Sequence, residues 1–114
     1  MTHGYMSNCT TFGPLLGKLA VHYDLVLFDN CCWGLNTRLT ESKAWESNPD
    51  AIAWLKEFIF KTIEGMDLPE TFLFCCHSFG AFLAMTYSVM KPERVESMFA
   101  ISPVGCESFD PTDY

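Results

Sequence analysis

The chain has 114 residues, 49% of them hydrophobic, with six cysteines and a formal net charge of −7. That length supports one small domain and not two, and the apolar content excludes a disordered chain. The acidic balance, with no basic patch, excludes nucleic acid as a partner, and no apolar run approaches the roughly 20 residues of a membrane span.

The opening residues Met1-Thr2-His3-Gly4 lack the charged and apolar regions of a signal peptide. A helix is predicted to begin near Thr11 or Gly13, with Pro14 in its first turn and Leu15, Leu16, Leu19 and Ala20 on an apolar face. Residues 23–28 (YDLVLF) read as a short strand closed by Asp29, which is expected to organise a turn through nearby N–H groups. Residues 30–47 read as a polar loop carrying Trp33, Gly34 and Arg38, with Glu41 and Glu46 at the surface. The next helix has Asn48 as its cap, Pro49 at its first position and Asp50 at its positive end. Ile52, Leu55, Ile59 and Ile63 recur at steps of three and four, and Gly65 is a natural stop.

Residues 71–86 organise the rest. Residues 71–76 form an apolar, strand-like run, His77-Ser78-Phe79-Gly80 follows, and residues 81–85 have helical character. A strand, an abrupt turn and a helix with serine at the corner make a nucleophile elbow. Such a turn strains the serine backbone, so the residues two before and two after it must be small. The alternative for Ser78 is an ordinary helix N-cap. Pro92 ends the helix, and residues 95–101 read as a further strand before an acidic tail holding Asp110 and Asp113. Alternating helices and apolar strands imply an α/β fold with a parallel sheet covered by helices.

The cysteines stand at 9, 31, 32, 75, 76 and 106, with no C-x-x-C pair to suggest a zinc or thioredoxin-type site. The adjacent pairs read as small buried hydrophobes in strand-like contexts, which favours reduced thiols and an intracellular chain, cytoplasmic or peripheral to lipid surfaces. The sequence contains no glutamine, which would fit a reading frame from an organism that spells glutamine with stop codons.

Several segments then resemble, in order, the middle of an α/β-hydrolase. His3-Gly4 resembles the oxyanion loop after the family's third strand. Phe28-Asp29 followed by Trp33-Gly34-Leu35-Asn36-Thr37-Arg38 resembles its D-x-x-G-x-G-x-S segment. Cys76-His77-Ser78-Phe79-Gly80 falls at the G-x-S-x-G nucleophile, and Pro92-Glu93-Arg94-Val95 resembles its P-x-R-V junction. Together these cover residues 1–104. Tyr87-Ser88 and Ser102-Pro103-Val104-Gly105 are similar to the branch of α/β-hydrolase domain-containing proteins four and five. Two departures stand out: Cys76 replaces the first elbow glycine, and Cys32 the first glycine after Asp29.

The resemblance implies a serine hydrolase or acyl-transfer protein acting on carboxylic esters or lipids, with no cofactor and no metal. It makes Ser78 the nucleophile and gives the oxyanion to backbone N–H groups of Phe79 and of Tyr5 or Met6, so that the side chains at 5 and 79 are expendable. Losing one such donor typically costs about 3 kcal/mol of transition-state stabilisation. The family order is Ser, acid, His, yet no histidine follows Ser78. His3 reads as an anchor of the opening loop, His22 as exposed and His77 as structural, none of them a triad base. Residues 1–114 are therefore expected to be an incomplete domain, from the oxyanion loop through the sixth strand, lacking the triad acid and histidine. A non-catalytic α/β-hydrolase-like binding or scaffold protein is the alternative. A doubly wound nucleotide-binding domain lacks its G-x-G-x-x-G or P-loop lysine.

Overall fold

A computed structural model describes residues 1–36 and 50–106. Thr37, Arg38, Glu41, Glu46, Asn48, Pro49, Asp110 and Asp113 lie outside the described residues.

The apolar run after residue 71 pairs as β1 (Phe72–His77). Its side chains alternate, with Phe74 and Cys76 buried on one face while Leu73 stands exposed on the other. β2 (Val95–Ile101) runs parallel to it, from Phe72 opposite Val95 to His77 opposite Ile101, with a register shift after the first pair. The opening segment continues the sheet on the far side of β1: Thr2 bridges Cys76 and, on its other flank, Phe28, both in parallel. Four segments thus lie side by side in the order Phe28, Thr2, β1, β2, and their carboxyl ends share one edge. The expected strand at residues 23–28 is reduced to this single bridge at Phe28, because strand status needs a partner and Thr2 alone supplies it.

Three α-helices are described. α1 (Gly13–Leu19) follows a 3-10 turn, Cys9–Phe12, and has Pro14 in its first turn as expected. Its apolar face is not buried: Leu15 and Ala20 are exposed, and Leu16 and Leu19 are half-buried. α2 (Ala51–Glu64) is capped by Asp50, whose side chain accepts from the Ala53 N–H at 2.8 Å. That carboxylate makes the cap; Asn48, the cap expected from the sequence, lies outside the described residues. Leu55, Ile59 and Ile63 are buried as their spacing predicts, while Ile52 is exposed. Gly65 does end the helix, but at φ −81°, so left-handed freedom is not what it supplies. A β-carbon there would lie 2.9 Å from the Lys61 carbonyl oxygen.

α3 (Phe79–Met90) starts immediately after Ser78. Ala81, Leu83, Ala84 and Tyr87 of α3 pack with Leu55, Ile59 and Ile63 of α2 and Phe74 and Cys76 of β1 in one core. Small residues at 81 and 84 let α3 lie close to the sheet. Tyr87 ties the two helices, its hydroxyl donating to Glu64 Oε1 at 2.6 Å. Burial, with Glu64 second, pushes that phenol up to about 12. Among the described residues, α2 and α3 cover one face of β1, and no described helix is long and apolar enough to cross a membrane.

Candidate active site

The opening segment enters the sheet between Phe28 and β1, so chain order reverses at the Thr2–β1 boundary. A ligand crevice in such sheets forms outside the carboxyl ends of strands at this kind of switch point. Gly4 and Ser78 stand on either side of it. The Thr2 N–H donates to the Cys75 carbonyl at 3.1 Å and the Thr2 carbonyl accepts from the His77 N–H at 3.1 Å. Those two bonds bring the residues after Thr2 alongside the residues after His77.

Ser78 sits at the corner between β1 and α3 with φ 50° and ψ −117°. Left-handed backbone at a serine is strained. Its hydroxyl makes no capping bond to the helix, so the ordinary N-cap is not the arrangement found. The neighbours hold the corner instead. The Ser78 N–H donates to the Ile101 carbonyl at 3.0 Å, and the Ser78 carbonyl accepts from the N–H groups of Ala81 at 3.0 Å and Val104 at 3.3 Å. α3 begins at Phe79, so the Phe79 N–H is one of the first-turn donors that lack an intrahelical acceptor.

The glycine two residues on is dictated by contact. A β-carbon at Gly80 would lie 2.5 Å from both the Thr2 and His3 carbonyl oxygens. Backbone therefore passes where a side chain would be. On the other side of the corner, Cys76 fills the position of the first elbow glycine fully buried, its thiol 3.6 Å from the Phe99 carbonyl oxygen. Gly4 closes the opposite wall: a β-carbon there would lie 3.1 Å from Ser78 Cβ and 2.9 Å from His77 Nδ1. His77 Nδ1 is buried and has no hydrogen-bond partner among the described residues.

Tyr5 and Met6 form an exposed turn, with Met6 at φ 52°. The Tyr5 ring meets Trp33 edge-on at 5.0 Å, and Trp33 meets Phe79 edge-on at 5.8 Å. Trp33 thus links the two stretches whose backbone N–H groups the sequence singled out. In the sequence Trp33 stands in the segment that follows Asp29, with nothing local to set it beside Tyr5 and Phe79.

A buried polar network fixes the opening loop. The Asn30 N–H donates to His3 Nε2 at 2.9 Å, so the His3 ring proton resides on Nδ1 and is given to the Gly4 carbonyl at 2.8 Å. Asn30 Nδ2 donates to the His3 carbonyl at 2.7 Å, and the Thr2 hydroxyl donates to Asn30 Oδ1 at 2.8 Å. All three residues are fully buried. His3 is an anchor, with both ring nitrogens engaged. Asp29 Oδ1 lies 3.6 Å from Nε2, but that nitrogen presents its lone pair to Asn30 and has no proton to share. His22 is exposed, as expected.

Asp29 organises the turn that follows it, as its position predicts. Oδ1 accepts from the Cys9 N–H at 2.7 Å and Oδ2 from the Leu35 N–H at 2.9 Å. Gly34, at φ 59°, is required here, since a β-carbon would lie 2.0 Å from Asp29 Oδ2. Burial raises the Asp29 carboxyl, but the N–H groups of Leu35 and Cys9 outweigh it and hold it below its ordinary value. A depressed carboxyl contributes stability above its unfolded value, near pH 3.9, and loses it as pH falls through the folded value. Urea melts at a series of pH values are expected to show wild-type stability dropping below about pH 4, with Asp29→Asn flattening that limb of the profile.

No family model matches the chain. Over 108 residues it is 26% identical to a probable 1-acylglycerol-3-phosphate O-acyltransferase of Oryza sativa subsp. japonica, covering 95% of this chain and 25% of that protein. It is 25% identical over 105 residues to a 1-acylglycerol-3-phosphate O-acyltransferase of Arabidopsis thaliana, covering 92% and 24%. It is 28% identical over 112 residues to the abhydrolase domain-containing protein abhd-5.2 of Caenorhabditis elegans, covering 97% and 24%. The chain spans about a quarter of the length of these relatives.

Proposed function

We propose that this chain is the nucleophile-bearing part of an α/β-hydrolase domain that hydrolyses or transfers the acyl group of carboxylic esters or lipids. The observation that carries the reading is Ser78: a serine at φ 50° between a parallel strand and a helix, with its hydroxyl free of any cap and the opening loop packed against it. The segment order Phe28, Thr2, β1, β2 supports it by placing that serine at the switch point. The likeness to two acyltransferases and an abhydrolase domain-containing protein supports the acyl chemistry.

In this reading Ser78 Oγ attacks the acyl carbonyl once a base takes its proton. The oxyanion that forms is held by backbone N–H groups of Phe79 and of Tyr5 or Met6. The aromatic rings of Tyr5, Trp33 and Phe79, in edge-on contact, flank the acyl side. The base does not come from this chain's histidines: His3 is committed to Asn30 and Gly4, His22 is exposed, and His77 is adjacent to Ser78 on the turn. In this reading the base belongs to a part of the domain outside these residues, which span about a quarter of the length of the relatives. The commitment of His3 to Asn30 and Gly4 also favours a second reading, in which these residues serve a non-catalytic binding or scaffold protein.

A fluorophosphonate probe separates the two. On a longer version that includes flanking coding sequence, labelling at Ser78 that Ser78→Ala abolishes is expected. Labelling that survives Ser78→Ala, or none at all, overturns the enzyme reading. The 114-residue chain alone is expected to show no turnover of a short acyl ester.

A further inference from the structure

The Cys-Cys dipeptide occurs twice in this chain, and the fold treats the two copies in opposite ways. On β1, Cys75 and Cys76 are successive strand residues, so their thiols point to opposite faces. Cys76 faces the α2–α3 core with its thiol on the Phe99 carbonyl. Cys31 and Cys32 lie in the loop expected from residue 30 onward, and not in the strand-like context expected of adjacent cysteines. They are the two central residues of a tight turn, closed by the Trp33 N–H donating to the Asn30 carbonyl at 3.1 Å. Cys32 has φ 69°, the left-handed value that the third position of a type II turn demands and that glycine usually supplies. On this turn the two thiols stand on neighbouring residues, one peptide apart.

We propose that Cys31 and Cys32 form a redox modification site, a vicinal dithiol that hydrogen peroxide closes reversibly into a disulfide and that thereby shifts Trp33 against Tyr5 and Phe79. The two thiols have distinct parts. Cys32 is half-buried and reachable, whereas Cys31 is buried. Burial, and then Cys32 beside it, pushes the Cys31 thiol up to about 12, so Cys32 is the attacking group. Its sulfur attacks one peroxide oxygen, the O–O bond breaks, and the departing hydroxide takes up a proton as water. The Cys32 sulfenic acid is then attacked by the Cys31 sulfur, the S–O bond breaks, and a second water leaves. In sum two thiols lose two hydrogens and one peroxide becomes two waters.

The ring runs through the intervening peptide. Adjacent Cα atoms are about 3.8 Å apart across a trans peptide, shorter than the usual disulfide separation of about 4.4–6.8 Å. A disulfide so strained is readily reduced, which suits a reversible mark and not a structural staple. Closing it must turn the backbone at Cys31 and Cys32, and Trp33 is the next residue. Trp33 touches Tyr5 at 5.0 Å and Phe79 at 5.8 Å between ring centroids, so the turn is coupled to the residues around Ser78. The proposal stands on these contacts and does not rest on the chemistry assigned to Ser78.

The test uses the reduced 114-residue chain treated with hydrogen peroxide, alkylated with N-ethylmaleimide and mapped by peptide mass. Loss of both alkylatable thiols from the peptide carrying Cys31 and Cys32 is expected, with full recovery after dithiothreitol, while Cys75 and Cys76 stay alkylated. In Cys31→Ser, dimedone is expected to trap a sulfenic acid on Cys32. A tryptophan emission change on oxidation, present in wild type and absent in Trp33→Phe, is expected to accompany closure. A Cys31–Cys32 peptide that stays doubly alkylated at peroxide levels that oxidise the exposed Cys106 overturns the site. So does a bridge from Cys32 to any other cysteine. Closure without a Trp33-dependent emission change overturns the coupling.

Discussion

Gly80→Ala is expected to lower folding stability by about 3 kcal/mol, the upper part of the range for overpacking a well-filled site. The added methyl would meet the Thr2 and His3 carbonyl oxygens at 2.5 Å. Neither oxygen can step aside. The Thr2 carbonyl is bonded to the His77 N–H, and the His3 carbonyl to Asn30 Nδ2. The helix cannot retreat either, because Ala81, Leu83 and Ala84 are fully buried in the core beneath it. The conflict is resolved only by parting the opening segment from α3, which disassembles the corner around Ser78. Gly17→Ala is the matched control. It lies in α1 with nothing within 4 Å of an added β-carbon. Relieved of glycine's backbone entropy, it is expected to gain roughly 0.5–1 kcal/mol. Urea midpoints for both variants check the pair, and equal effects from the two would show that close approach is not what selects glycine at 80.

How far such features could be read in the sequence depends on how local their causes are. β2 was legible to the residue, 95–101, because Pro92 stops the preceding helix and an apolar run follows at once. β1 fell one residue later than its reading, at Phe72–His77, since strand ends are fixed by pairing and not by composition. The core face of α2 was legible at Leu55, Ile59 and Ile63, but Ile52, in the first turn, is exposed. Asn48 and Asp50 are both good caps, and sequence gives no means to choose between them when they stand two apart.

The site divides in the same way. Ser78 and the demand for a small residue at 80 follow from the strand–turn–helix pattern itself. The anchoring of the opening loop does not. Thr2 and His3 meet Asn30 across 28 and 27 residues, and a polar residue that opens a loop looks solvated until the fold buries it. The two Cys-Cys pairs make the point with identical chemistry: one lies in a strand and one in a turn, and only the backbone says which thiols can touch.

Asn30→Leu, which keeps the volume and removes the polar groups, is expected to destabilise the fold by about 3 kcal/mol. It leaves the Thr2 hydroxyl without its acceptor and the His3 carbonyl without its donor, both in fully buried surroundings. Each buried group stranded in this way costs about 1–3 kcal/mol. The Asn30 N–H to His3 Nε2 bond is a backbone donation and survives, so the His3 ring is expected to stay in place while the loop backbone loosens. Asn30→Asp supplies the sharper test. An aspartate keeps the acceptor for the Thr2 hydroxyl but turns an oxygen toward the His3 carbonyl in place of the amide donor. Burial and that facing oxygen both raise the carboxyl above its unfolded value of about 3.9. The native state then holds more protons than the unfolded state, so stability falls as pH rises. The variant is expected to approach wild type near pH 4, where the protonated carboxyl can donate to the carbonyl, and to lose stability steadily toward about pH 7. That slope is opposite in sign to the Asp29 contribution. Parallel pH profiles for Asn30→Asp and wild type would rule out a buried donor role for Asn30 and detach the opening loop from the network assigned to hold it over Ser78.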